Sequence, residues 1–327
     1  MLISSYLLGK NNERDLKHYD ALQKLAKALY FIETLYVDPK QVSSDRIVNS
    51  ALSGILSSLD PHTAFLPKTL YQQTKEDPQN KNEAPSIESQ ALGNGLYYLR
   101  LASFQEKGSD TIKHILANAG TSLSSLILDL RNNPGGLFDQ AVKIADLFIE
   151  SGLIVSTVGR DSSQIEREFA TKKANYRHFP MVVLVNQRSA SASEILAGAL
   201  QDHKRALILG RKTFGKGSVQ SLISLPDGSG IKLTVARYFT PADRSIQAIG
   251  IEPDILIPEK KPDAAPGERE SDLKRHLLAT DLSDFAKTHK RWDEMNAWPD
   301  RLQKDYELIT AYSYLKGFLI FSGKTKP

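Results

Sequence analysis

The chain has 327 residues, no cysteine, and 42 Lys and Arg against 38 Asp and Glu, a formal charge of +4. An excess this small, spread along the chain, excludes the concentrated basic face of a nucleic-acid binder. The missing cysteines exclude disulfides, thiolate nucleophiles and cysteine zinc sites together, and the scattered histidines form no His-Glu-x-x-His metal pair.

No apolar run reaches the length needed to cross a bilayer. Residues 1–8 are apolar but lack a basic flank and a cleavage site, so they do not make a complete signal peptide. Leu22, Leu25, Leu29 and Ile32 recur at three- and four-residue steps and predict a helix over 14–37. Ile47, Ala51, Ile55 and Leu59 predict a second over 44–59, stopped by Asp60-Pro61. The two form a helical hairpin within an N-terminal helical region, 1–66. Residues 67–92 are polar and read as a linker.

An α/β core is expected over 93–258. Its first strand falls within 95–104, followed by a helix at 109–118, the apolar run 126–130 and a helix at 137–149. A buried strand at 181–185 leads into a helix at 191–201. This alternation predicts a largely parallel sheet covered by helices. Strands at 206–210, 219–225 and 231–239 make the sheet system mixed, with 226–230 as a hairpin turn. A C-terminal region, 259–327, is expected to be helical over 270–286 and 300–317. The terminal helices offer surfaces for homo-oligomerisation.

Three segments carry chemistry. Asn132-Asn133-Pro134-Gly135-Gly136 joins a buried strand to a helix, and its glycines let a backbone amide face a ligand. Ser189-Ala190-Ser191-Ala192-Ser193-Glu194 presents a serine at a helix start, where free N–H groups favour negative charge. The same Ser191…Glu194 spacing also fits a capping box. In Thr213-Phe214-Gly215-Lys216-Gly217-Ser218-Val219-Gln220 a lysine sits between glycines. Neutral lysine can deprotonate a serine hydroxyl. That requires desolvation to bring its pKa down from about 10.4, roughly 4 kcal/mol for a three-unit shift. The stretch 210–216 also matches most of a phosphate-binding loop, but Gly217 replaces the Ser or Thr that reaches magnesium and a strand follows where a helix is required. Nucleotide binding is therefore set aside.

In this order, Asp129-Leu130-Arg131-Asn132-Asn133-Pro134-Gly135-Gly136, then the Ser189–194 segment, then the Thr213–220 segment, the chain resembles the carboxyl-terminal processing proteases, the tail-specific serine peptidases of family S41. Ser58-Leu59-Asp60-Pro61-His62-Thr63 and the stretches 97–104, 237–244 and 250–254 carry further parts of the resemblance, though Asp243 stands where the family often has glycine. The resemblance implies a crotonase/ClpP-like core flanked by helical segments, and a serine endopeptidase with Ser191 as nucleophile and Lys216 as general base. Gln220 would orient the lysine, and the amides of Ala192 and the Gly135-Gly136 turn would form the oxyanion hole. It implies protein or peptide substrates, no cofactor or metal, and a periplasmic or otherwise exported location. The family's PDZ domain, which captures a substrate's free C-terminus, is expected between Thr63 and Gly95. Only about 30 residues lie there, fewer than the roughly 50 that a compact domain needs. The alternative is a catalytically impaired, protease-like adaptor or assembly subunit.

Overall fold

The structure is a computed structural model that describes residues 2–76, 87–161, 164–171, 176, 178–258 and 293–323. In chain order its main elements are α1 (Leu2–Leu35), α2 (Ser44–Ser57), β1 (Ala64–Leu66), α3 (Lys68–Glu76), β2 (Ile87–Ala91), β3 (Leu96–Leu101), α4 (Gly108–Ala119), β4 (Ser125–Asp129), α5 (Phe138–Phe148), β5 (Leu153–Val158), β6 (Ile165–Phe169), β7 (Met181–Val185), α6 (Ala192–Asp202), β8 (Leu207–Gly210), β9 (Ser218–Ser224), β10 (Gly230–Phe239) and β11 (Ile255–Leu256). Two further helices, Asp300–Gln303 and Tyr306–Phe321, follow. The chain divides into two compact units, one of residues 1–78 and 220–234, the other of 79–219 and 235–327.

In the first unit, α1 and α2 meet as the predicted hairpin. Of the apolar positions that predicted α1, Leu22, Leu25 and Ile32 remain exposed. The stripe exists in sequence, but α2 does not cover it. β1 pairs antiparallel with the start of β10, Ala64 opposite Lys232 and Leu66 opposite Gly230, and buries Phe65 and Leu66. The turn between β9 and β10 is closed by Asp227, whose carboxylate accepts from the Ser229 amide at 3.0 Å and its hydroxyl at 2.6 Å.

The second unit is built on a six-stranded sheet in the order β11-β8-β7-β4-β3-β2. All neighbours run parallel except β2, which is antiparallel to β3. β4 and β7 are buried along their whole length, which explains why both read as unbroken apolar runs: each face has its own cover. Alternate residues serve opposite faces. Leu126 and Leu128 of β4, with Met181 and Val183 of β7, pack with the apolar residues of α4, α5 and α6. Ile127, Val182 and Leu184 pack instead with Trp298, Leu308, Ala311 and Leu315. A smaller antiparallel set holds β6 against β5 and β5 against the end of β10.

The segment expected to be a linker carries α3 at one end and β2 at the other, and 77–86 lie outside the described residues. Its polar composition concealed β2 because that strand is an edge, half-exposed on its faces. The expected helix at 270–286 also lies outside the described residues. The one expected at 300–317 is two helices, separated where Asp305 caps the second by accepting from the Leu308 amide at 3.0 Å.

That cap belongs to an ion cluster at the end of β4. Arg131 donates to both oxygens of Asp129 (2.9 and 2.6 Å), to both of Asp305 (2.9 and 2.6 Å) and to Glu307 (2.7 Å). Tyr98 donates to Asp129 at 2.8 Å. Burial alone would raise the Asp305 pKa, but the hydrogen bonds and charge of Arg131 outweigh it and hold the carboxyl below its ordinary value. A carboxyl depressed in the folded state contributes stability above its unfolded pKa and loses it as pH falls. Urea-unfolding stability should therefore decline as pH drops from about 5 toward 2. Asp305→Asn should lower stability at neutral pH by about 1–3 kcal/mol and flatten that decline. An unaltered urea midpoint in this variant would show that the cluster does not tether the last helix.

Candidate active site

The carboxyl ends of parallel strands are where loops of an α/β sheet converge, and the chemistry-bearing segments follow β4, β7 and β8. The loops after β4 and β7 are laced by three asparagines. Asn186 Oδ1 accepts from the Asn132 amide at 3.0 Å, and its Nδ2 donates to Asn132 Oδ1 at 3.1 Å. Fully buried Asn133 donates to Leu101 O at 2.8 Å. Its carbonyl accepts from the Ala190 amide at 3.0 Å and the Ser193 hydroxyl at 2.9 Å.

These bonds distinguish the three neighbouring serines. Ser189 is fully buried, donates to Leu130 O at 2.8 Å and accepts from the Asn186 amide at 3.0 Å. Ser193 is equally buried and tied to Asn133. Both hydroxyls are structural. Ser191 is only half-buried, at the head of α6. Its backbone has φ 56° and ψ −114°, a conformation costing an L-residue on the order of 1–3 kcal/mol. Surrounding contacts must hold it there.

The main hold is Glu194. It is fully buried, and every polar group the structure places on its carboxylate is a donor. Oε2 accepts from the backbone amides of Ser191 and Lys216, each at 2.8 Å. Oε1 accepts from the Thr213 hydroxyl at 2.5 Å and the Gly215 amide at 2.6 Å. One carboxylate oxygen thus joins the serine turn to the lysine turn. Burial pushes the Glu194 pKa up, opposed by these four hydrogen bonds. The capping-box reading of Glu194 covers only the Ser191 half of this. A further signal was present: Glu194 is the one charged residue in the otherwise small and apolar stretch 190–200.

The glycine turn closes on the same point. Gly135 has φ +108°, and a Cβ there would lie 2.9 Å from Ser191 Cβ and 3.1 Å from the Ala192 nitrogen. Only glycine permits that approach. The Gly135 amide donates to Asn133 Oδ1 at 2.9 Å, so of the two glycine amides in the turn that of Gly135 is already engaged. Lys216 is half-buried, and its turn is pressed on 246–250: a Cβ at Gly217 would lie 2.4 Å from the Gln247 nitrogen, and the Gly217 amide donates to Gln247 Oε1 at 3.0 Å. The second unit therefore brings Ser191, Ala192, Gly135 and the Lys216 backbone together. Gln220 lies on β9, in the first unit, four residues beyond Lys216 along the chain. No cluster of His, Asp or Glu suited to a metal occurs among the described residues, and no described helix is long and apolar enough to cross a membrane.

The family model for peptidase family S41 matches residues 95–257. A carboxy-terminal-processing protease of Bartonella bacilliformis is 43% identical over 229 residues, 67% of this chain and 52% of that protein. A carboxyl-terminal-processing protease of Picosynechococcus is 43% identical over 191 residues, 58% of this chain and 45% of that one. The solved photosystem II D1 C-terminal processing protease aligns with a TM-score of 0.50 at 38% identity, covering 54% of this chain and 50% of that one. The chain spans about half the length of these relatives.

Glu194→Gln places an amide N–H₂ where the carboxylate now meets only donors. It should lower urea-unfolding stability by about 1–3 kcal/mol. A variant as stable as the parent would mean that Glu194 does not hold the two turns.

Proposed function

The chain carries a peptidase family S41 domain across residues 95–257, and from that premise we propose that it is a serine endopeptidase of the carboxyl-terminal processing type, cutting protein or peptide chains with Ser191 and Lys216. Carboxyl-terminal processing proteases of this family are serine hydrolases. The observation that carries the reading is the shared Glu194 oxygen, 2.8 Å from the backbone nitrogens of both residues.

Ser191 Oγ attacks the scissile carbonyl while neutral Lys216 takes its proton, and the lysine then returns that proton to the leaving amine. Water releases the acyl-enzyme by the same route. The developing oxyanion is met by the Ala192 amide at the start of α6, favoured by the helix dipole. The second donor is assigned to Gly136, since Gly135 is held by Asn133; Gly135 serves as the close-approach residue. Gln220 orients the lysine. No cofactor or metal is required by this chemistry.

The substrates proposed are unfolded chains, taken with weak selectivity for C-terminal residues because 67–92 leave no room for a peptide-capturing PDZ domain. An exported location accords with the relatives, which include chloroplastic processing peptidases. The exposed apolar side chains of α1 support association of copies through the terminal helices.

Ser191→Ala and Lys216→Ala should each reduce cleavage of an unfolded protein such as casein by about a thousandfold or more, with the melting temperature little changed. Undiminished hydrolysis in either variant would end this reading.

A further inference from the structure

A cleft of about 960 Å³ lies at the amino ends of β7 and β8, the edge of the sheet opposite the serine and lysine turns. Its lining belongs wholly to the second unit. One wall is the chain entering those strands, with Pro180, Met181 and Leu207; the other is the last two turns of the final helix, with Tyr314, Phe318 and Phe321. The fold leaves these three rings in water: Tyr314 is 45%, Phe318 53% and Phe321 95% exposed. Gly317 lines the same wall, and a Cβ there would meet nothing within 4 Å. Glycine inside a helix is less favourable than alanine, and here no close contact demands it. Its effect is to hollow the groove.

Arg205 lines the cleft as well. Its Nε donates to Phe148 O at 3.1 Å and its Nη2 to Tyr176 O at 2.6 Å. Its guanidinium lies 5.2 and 5.8 Å from the ring centroids of Phe179 and Phe148. Among the described residues no carboxylate pairs with it, and burial lowers its pKa to about 10. The two carbonyls leave donors on Nη1 and Nη2, the fork that meets a carboxylate at two points. Asp254, the acid that lines the cleft, is engaged elsewhere: it accepts from Gln201 Nε2 at 2.9 Å and from the Ile208 amide at 2.8 Å. Lys204, exposed beside Arg205, adds a second positive charge.

A cation without a counter-ion, set against an apolar groove, selects an anion with an apolar body. A peptide would bring backbone N–H and C=O groups that apolar walls leave unsatisfied. An alkyl chain brings none, and the cleft is of a size that encloses a small ligand. We propose that this cleft binds a free fatty acid, its carboxylate on Arg205 and its chain along Met181, Leu207 and Phe318. The ligand supplies the counter-charge that the fold withholds from Arg205 and covers the exposed rings of the final helix. The site is independent of the peptidase reading.

The test titrates the protein calorimetrically with decanoate, decanol and decyltrimethylammonium, which share a chain length and differ in head-group charge. Decanoate is expected to bind as one molecule per chain and to raise the melting temperature. It should bind at least about tenfold more tightly than either of the other two. Gly317→Trp, which fills the groove from an open position, should weaken decanoate binding about tenfold or more without lowering the melting temperature. Arg205→Gln should cut the preference for decanoate over decanol to about twofold. Arg205 also holds two carbonyls, so if Arg205→Gln melts early, the head-group comparison on the parent and the Gly317→Trp titration decide. The proposal is overturned if decanoate does not bind, if the three probes bind alike, or if Gly317→Trp binds decanoate as the parent does.

Discussion

A single buried carboxylate organises the candidate site. Four neutral donors from two separate loops converge on the two oxygens of Glu194. Burying a carboxylate is costly unless its oxygens are satisfied, so the cost falls only when both loops are in place. That makes the closure of the serine and lysine turns a joint event. The same closure holds Ser191 in a backbone conformation it would otherwise leave.

The sheet supplies the frame for this closure. Parallel strands buried on both faces deliver the loops after β4 and β7 to one edge, where Asn132, Asn133 and Asn186 bind them to each other. Arg131, at the end of β4, ties that edge to Asp305 and Glu307 at the head of the final helix, whose apolar face covers the opposite side of the sheet from α4, α5 and α6. The residues around Arg131 line a polar cavity of about 670 Å³. Its arginines and carboxylates are largely engaged with one another, which marks it as a structural joint.

Much of this was legible in sequence. The apolar runs of β4 and β7 identify themselves because both faces of the sheet are covered. The motif order placed Ser191, Gly135 and Lys216 in segments that the fold does bring together along the sheet edge. β2 and β6 were missed because edge strands carry mixed composition: β6, Ile165–Phe169, is almost wholly exposed. The role of Glu194 was visible only in part, since a capping pattern is a local signal and its bonds to Thr213, Gly215 and Lys216 depend on the tertiary fold.

The central claim is that Ser191 is a nucleophile whose reactivity depends on Lys216. Prolonged incubation with a fluorophosphonate, followed by intact-mass measurement and peptide mapping, tests it most directly. The account predicts one phosphonyl adduct per chain, on Ser191 and not on Ser189 or Ser193, forming at least about a hundredfold more slowly in Lys216→Ala. An adduct elsewhere, no adduct at all, or equal labelling rates in the parent and Lys216→Ala would contradict it.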